Sequence, residues 1–272
     1  MVKWCVCMMA LLMSAGSAQA QSFSDGFESG LSAWTAWRSD NAPGKQPPVV
    51  SAGCHVGSCV RFDLRGGAPQ QSVLVERSLQ LGGPALYASF WLRFPLGYSW
   101  DPAPGYTGTE HKLLLVSVAD GVGRILLNLR GGGATPELAV FFEQLENSGG
   151  VNVRGPATWP ADGLWHQLEL VVGRTSSATD RVQLRLDGRT VIDTTGRTCG
   201  SPCAPVVGVQ VGAFVNQGAR VAQSFYLDDV VIGDAGSPPP PPPPPDRTAA
   251  ALDAIARAAA ELQRAVDALE GR

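Results

Sequence analysis

Lysine is nearly missing from this chain. Three stand against 18 Arg in 272 residues, and His occurs three times. Charged residues make up 17%, with a formal charge of −3, so a broad cationic face for nucleic acid is excluded. No apolar run approaches the roughly 20 residues of a membrane-spanning helix. There is no phosphate loop, dinucleotide glycine fingerprint, serine elbow or zinc-protease motif. No helical periodicity interrupts residues 21–235. Methionine is absent after position 13, with all four at positions 1, 8, 9 and 13.

That clustering marks the N-terminus as a separate segment. Lys3 precedes the apolar run WCVCMMALLM (4–13), and Ala18-Gln19-Ala20 offers small residues for cleavage after Ala20. Residues 1–20 therefore read as a signal peptide, which places the mature chain in the periplasm of a bacterium or secreted from it. Their removal takes one Lys and no acid, moving the formal charge to −4. Four Cys remain: Cys54, Cys59, Cys199 and Cys203. An even count in an exported chain favours disulfides over a metal site. Three connectivities exist, and locality favours 54–59 with 199–203. A four-Cys zinc site fits the spacing poorly.

The C-terminal end divides in two. Eight prolines, 238–245, cannot form helix or inner strand. They set residues 236–246 as a stiff polyproline linker, the eight prolines spanning about 25 Å. Residues 247–272 carry Leu252, Ile255, Ala259, Leu262, Val266 and Leu269 at alternating spacings of three and four, with mostly Ala beside them. This is an amphipathic helix with a heptad stripe. Alone in water it is marginal, so its apolar face wants a partner. Homo-oligomerisation through 247–272 is the expected use, with docking on another protein as the rival.

Residues 21–235 alternate with period two. Leu86, Ala88, Phe90, Leu92 and Phe94 oppose Tyr87, Ser89, Trp91 and Arg93, and Val182, Leu184 and Leu186 oppose Arg181, Gln183 and Arg185. Asp187-Gly188 is a hairpin signal. Further strands are expected at 112–118, 124–130, 137–145, 165–172, 206–215 and 224–232, with 112–118 and 206–215 central because they are apolar almost throughout. The fold class is all-β, an antiparallel two-sheet jelly-roll sandwich of one domain, 21–235.

Several stretches carry a family resemblance. The opening FSDGFESGLSAW (23–34), the closing FYLDDVVI (225–232), and DGLWHQLELVV (162–172) followed by VQLRLDGRTV (182–191) resemble the laminin-G-like and concanavalin A-like lectin/glucanase pattern. ASFWLRFPLGY (88–98) with HKLLL (111–115) is similar to jelly-roll polysaccharide lyases. The resemblance implies a β-sandwich and a glycan ligand on the concave sheet. The E-x-D-x-x-E strand of the jelly-roll glucanases is missing, and Glu137, Glu143 and Glu146 do not reproduce it.

The polar rows of the strands are then the candidate carbohydrate site. Tyr87 and Trp91 are the stacking candidates, their alternative being a packing layer under loops. Arg93, Lys112, Asn128 and Arg130 suit hydroxyls or carboxylates, and Glu143 suits sugar hydroxyls. Glu110-His111-Lys112 is the densest ionisable cluster, so His111 joins the set. His166 reads as a hydrogen-bonded structural residue. No cofactor motif is present, though Asp25 and Glu28 with Asp228 and Asp229 fit a structural calcium ion between the chain ends. The favoured function is a secreted lectin-like glycan-binding module, presented multivalently through its tail. The alternatives are a lyase acting on an acidic glycan through His111, Lys112, Tyr98, Tyr106 or Arg130, and an adhesive cell-envelope domain without a glycan site.

Overall fold

The computed structural model describes residues 22–40, 44–119, 123–131, 135–143, 153–196, 198–199 and 203–235. The signal peptide, the polyproline linker, the C-terminal amphipathic segment and Glu146 lie outside the described residues. The strands are β1 (Ser22–Asp25), β2 (Ala36–Ser39), β3 (Val49–Val50), β4 (Cys59–Leu64) and β5 (Gln71–Leu81). They continue as β6 (Ala85–Arg93), β7 (Thr109–Val118), β8 (Arg124–Gly131), β9 (Glu137–Glu143) and β10 (Val153–Thr158). The last five are β11 (His166–Gly173), β12 (Arg181–Leu186), β13 (Arg189–Thr195), β14 (Val206–Val215) and β15 (Gln223–Asp234). No helix occurs among the described residues.

Two antiparallel sheets face each other. The eight-stranded sheet runs β13-β12-β11-β6-β15-β4-β3, with β1 on β15, and the seven-stranded sheet runs β10-β9-β8-β7-β14-β5-β2. The two apolar runs, β7 and β14, are neighbours in the middle of the second sheet, as their composition predicts. The chain ends meet where β1 pairs with β15, Phe23 opposite Ile232.

Alternation decides which side chains enter the core. Leu86, Ala88, Phe90 and Leu92 of β6, Leu168, Leu170 and Val172 of β11, and Ile125, Leu127 and Leu129 of β8 are all buried between the sheets. Each such Leu, Ile or Phe stabilises the fold by about 1.5–3 kcal/mol through transfer from water. At one end an aromatic group closes the core: Phe94 contacts Tyr98, Trp100, Trp159 and Phe225 at centroid separations of 4.7–5.2 Å. The hairpin at Asp187-Gly188 forms as expected, with φ of 52° and 73°, which only a turn with two left-handed residues tolerates. Both local disulfides are present, Cys54–Cys59 and Cys199–Cys203, each with Cα atoms 5.4 Å apart.

The sequence analysis misses β2, β3, β4, β5 and β10. In β5, Val73 and Val75 point inward while Ser72 and Glu76 point outward, but outward-facing Leu74 blurs the period. In β10, Gly and Pro inside the strand mask it, and Gly155 sits there because a Cβ would meet Ile192 and Val191 of β13 at 2.8–2.9 Å. That contact joins the two sheets along one side.

Candidate functional site

The eight candidate residues divide among three places. Lys112, Asn128, Arg130 and Glu143 come together on the outer face of the seven-stranded sheet. Tyr87, Trp91 and Arg93 lie on the outer face of the other sheet, across the sandwich. His111 lies inside.

The first group follows from register. Lys112 of β7 stands opposite Asn128 of β8, which stands opposite Ala139 of β9. One row further, Glu110 faces Arg130 and Arg130 faces Glu137. In the other direction Gln210, Leu115, Leu126 and Phe141 form a row, followed by Ser117, Arg124 and Glu143. One ion pair crosses rows, with Lys112 Nζ 3.0 Å from Glu143 Oε1, and one lies within a row, with Arg130 Nε 3.4 Å from Glu110 Oε1. Arg130 also lies 4.8 Å from the Phe141 ring centroid, and Lys112 Nζ 5.7 Å from that of Phe214. Asn128 Nδ2 donates to Glu110 Oε1 at 2.9 Å, and Asn216 Nδ2 donates to the other oxygen. This anchors the Asn128 amide and leaves its Oδ1 buried with no donor among the described residues. An unmet buried acceptor of this kind costs about 1–3 kcal/mol.

Two hollows flank this row. One of about 340 Å³ is lined by Glu110, Arg130, Glu137, Arg154 and Gln217, with Gly108 and Gly131 at its rim. The other, of about 380 Å³, is lined by Trp37, Arg38, Glu76, Ser117, Arg124, Gln210 and Phe214. Gln210 Nε2 is held by Glu76 at 2.9 Å. From Arg124 to Arg130 the groove runs six residues along β8, about 20 Å. Glu110, Arg124, Gln210, Arg38 and Arg154 are groove residues that the candidate set omits. They join it only through strand pairing, which has no local signal.

Tyr87 and Trp91 do not form an open stacking platform. They are 4% and 2% exposed. The loop closed by Cys54–Cys59 lays His55 flat on Trp91, with centroids 3.9 Å apart and rings inclined by 14°. Arg93 Nη1 donates to Gly53 O at 2.7 Å and its guanidinium stacks on Tyr226 at 4.7 Å, while Trp165 Nε1 donates to the same carbonyl at 3.1 Å. Tyr87 donates its hydroxyl to Glu169 at 3.3 Å. These residues form the packing layer that was the alternative.

His111 is likewise displaced from the site. It pairs with Leu129 and Val215, both inward-facing, and its Nε2 is 3.2 Å from the Tyr98 hydroxyl. Burial pushes its pKa down to about 3 and pushes that of Tyr98 up. Neither group reaches the groove. Of the lyase candidates, Lys112 and Arg130 remain there, and Tyr106 is exposed next to Thr107 and Gly108, which line the hollow at Arg130. His166 is structural, its two ring nitrogens 2.8 Å from Asp187 and 2.9 Å from Asp162.

At the expected calcium position the chain ends do meet, but the carboxylates already have donors. Asp25 accepts from Phe27 N at 2.9 Å and Trp34 Nε1 at 2.7 Å, and Glu28 accepts from Ser58 N at 2.9 Å. Asp228 accepts from the backbone of His55, Val56 and Asp229, and burial lifts its pKa to about 7. His55, Asp228 and Asp229 each offer one atom within 4.8 Å of the others. This differs from the expected set because His55, not Asp25 or Glu28, completes the group.

No protein-family model and no curated protein sequence matches this chain. Solved structures do. An endo-β-1,4-glucuronan lyase from the fungus Trichoderma reesei superposes with a TM-score of 0.60 at 18% identity, over 78% of this chain and 94% of that one. The alginate lyase vAL-1 from Chlorella virus gives 0.51 at 9% identity, over 73% and 93%. The alginate lyase Aly36B gives 0.50 at 14%, over 64% and 80%. At these identities the likeness is one of fold. This chain is a jelly-roll sandwich with the fold of these polysaccharide lyases.

Proposed function

We propose that this is an exported protein that binds an acidic polysaccharide along the groove of the seven-stranded sheet. The observation that carries this is the pair of adjacent rows that hold Lys112 with Asn128 and Arg130 with Glu110. Two cations suited to carboxylates stand beside a buried acceptor, Asn128 Oδ1, that lacks a donor. A glycan hydroxyl supplies that donor, and a uronate suits the guanidinium, which binds carboxylates through two parallel bonds. Arginines in both flanking hollows, Arg130 and Arg154 beside Glu110 and Glu137, and Arg38 and Arg124 beside Glu76, add carboxylate-binding groups along the groove. The two disulfides fit an oxidising compartment outside the cytoplasm.

A second reading is favoured by the fold shared with lyases that act on uronate polymers. In it the groove cleaves its ligand by β-elimination. Arg130 holds the uronate carboxylate, and a base takes the C5 proton as the C4–O bond breaks. The leaving oxygen takes a proton, and a C4=C5 double bond remains. Lys112 is the groove side chain placed for proton transfer, with Glu143 beside it.

Native electrophoresis through gels containing glucuronan, alginate or a neutral glucan tests both readings. Retardation by the acidic polymers with polymer intact supports binding. Loss of polymer, with new ultraviolet absorbance from the unsaturated uronate, supports elimination. Equal mobility in every gel overturns both.

A further inference from the structure

Lys112 and Arg130 each rest on a carboxylate of the protein itself, and the two carboxylates are held differently. Glu110 is fixed. Its side chain is 15% exposed, its Oε1 accepts from Asn128 Nδ2 at 2.9 Å and lies 3.4 Å from Arg130 Nε, and its Oε2 accepts from Asn216 Nδ2. Glu143 is 40% exposed, and its carboxylate has one partner among the described residues, the Lys112 ammonium at 3.0 Å. Lys112 is the buried half of that pair, 11% exposed, with its ammonium also 5.7 Å from the Phe214 ring centroid. That ring helps to keep the ammonium in place whichever carboxylate faces it.

Register gives Glu143 a second cation. It stands directly opposite Arg124 across β8 and β9, where cross-strand side chains are in reach of one another. To meet Lys112 instead, it extends past the whole row of Gln210, Leu115, Leu126 and Phe141. The Lys112–Glu143 pair thus lies along the groove above that row.

We propose that Glu143 is an internal stand-in for the ligand. Its carboxylate takes the place on Lys112 that a carboxylate of an acidic glycan occupies, and on binding it moves to Arg124. The ligand class in this rests on the proposed function, whereas the exchangeable pairing of Lys112 does not. A pair with one half-exposed member is weak and easily broken. A buried ammonium left without an anion is costly. Exchange of one carboxylate for another avoids that cost, since Lys112 stays paired and Glu143 gains Arg124. A neutral glycan brings no anion, so it cannot displace Glu143 on equal terms. Glu143 therefore lowers affinity for every ligand and lowers it most for neutral ones, which is specificity through competition.

The scarcity of lysine makes this testable on the full chain. After residue 20 the only lysines are Lys45 and Lys112, and Lys45 is exposed. Trace acetylation with acetic anhydride, read by mass spectrometry, reports the Lys112 amine against Lys45 as an internal reference. Glu143→Gln should raise the relative labelling of Lys112 about twofold to fivefold, the range of a weak ion pair. Free glucuronate should slow that labelling, at a lower concentration in Glu143→Gln than in the parent. In gels the variant should be retarded at about twofold to fivefold less glucuronan or alginate. Glu110→Gln removes the same charge from the same face and should not raise Lys112 labelling. A rise as large in Glu110→Gln overturns the proposal, since a general field would then explain it. Unchanged labelling in Glu143→Gln also overturns it, as does labelling that glucuronate never slows. Weaker retardation of Glu143→Gln overturns it too, by making Glu143 a ligand contact. If labelling rises and glucuronate competes while every polymer leaves both proteins unretarded, the stand-in holds and the polysaccharide reading falls.

Discussion

His111 and Lys112 are consecutive in β7, yet they serve opposite sides of the sheet. The imidazole meets the Tyr98 hydroxyl at 3.2 Å within the core, and the ammonium meets Glu143 at 3.0 Å on the outer face. Successive side chains of a strand point to opposite faces, so one of the two faces the outer groove and the other supports the fold.

Substitution should separate these roles. Lys112→Met should weaken retardation in acidic polysaccharide gels and leave the urea midpoint nearly unchanged. His111→Gln should lower stability by about 1–3 kcal/mol and leave the groove intact. Its pH effect has a definite sign. The folded imidazole stays neutral down to about 3, whereas an unfolded one takes a proton near 6.5. Stability present above the unfolded value is therefore lost as pH falls below it. In His111→Gln that acid limb should shrink. An unchanged limb with lost binding would return His111 to the site.

His166 should show the opposite dependence. Burial lowers its pKa, but hydrogen bonds and charges from Asp187 and Asp162 outweigh this and raise it overall. Its contribution is complete below the unfolded value and is lost as pH rises through the folded one. Between neutral and mildly alkaline pH, His166→Gln should lose less stability than the parent. Thermal melts across that range check it, and parallel curves would argue against a charged imidazole.

Gly212 lies in β14 opposite Leu74 of β5, with a φ of +144°. A Cβ there would meet Val73 O at 2.4 Å and Leu74 Cα at 2.7 Å. Gly212→Ala should cost about 1–3 kcal/mol. Gly208→Ala in the same strand has its nearest neighbour, Arg77 O, at 3.7 Å and should be tolerated. Urea denaturation of both variants reads the difference.

Removing the Cys54–Cys59 bridge with paired serines should cost about 2 kcal/mol, the loop-closure value for so short a ring. It should also free His55 from Trp91. Acrylamide quenching of tryptophan fluorescence should then rise, while polysaccharide retardation stays as in the parent. Loss of retardation would assign the glycan to the eight-stranded sheet instead.

Much of the fold is legible before any coordinates. Period two in 85–93 and 181–186, the Asp187-Gly188 turn and the apolar runs of β7 and β14 follow from local residue order, because strand alternation and turn conformation are local properties. Leu74 and Gly155 hide strands, since one breaks the polar row and the other is small for the sake of a neighbour in the facing sheet. The site is half legible. Lys112, Asn128, Arg130 and Glu143 are polar interruptions in apolar strands, and such interruptions can be read along the chain.

The amino-acid order by itself determined the all-β class, the paired cysteines, and the separate leader, proline run and amphipathic tail as expectations. Tertiary structure alone decided that Trp91 lies beneath His55, that Glu110, itself held by Asn216, holds Asn128, and that His111 is excluded from the groove. The reason is physical. Which polar row faces solvent depends on strand register, on a bulge between Lys112 and Leu114, and on a loop folding over a distant sheet. Those are contacts between residues far apart in the chain, and their energies appear only when the sheets pack.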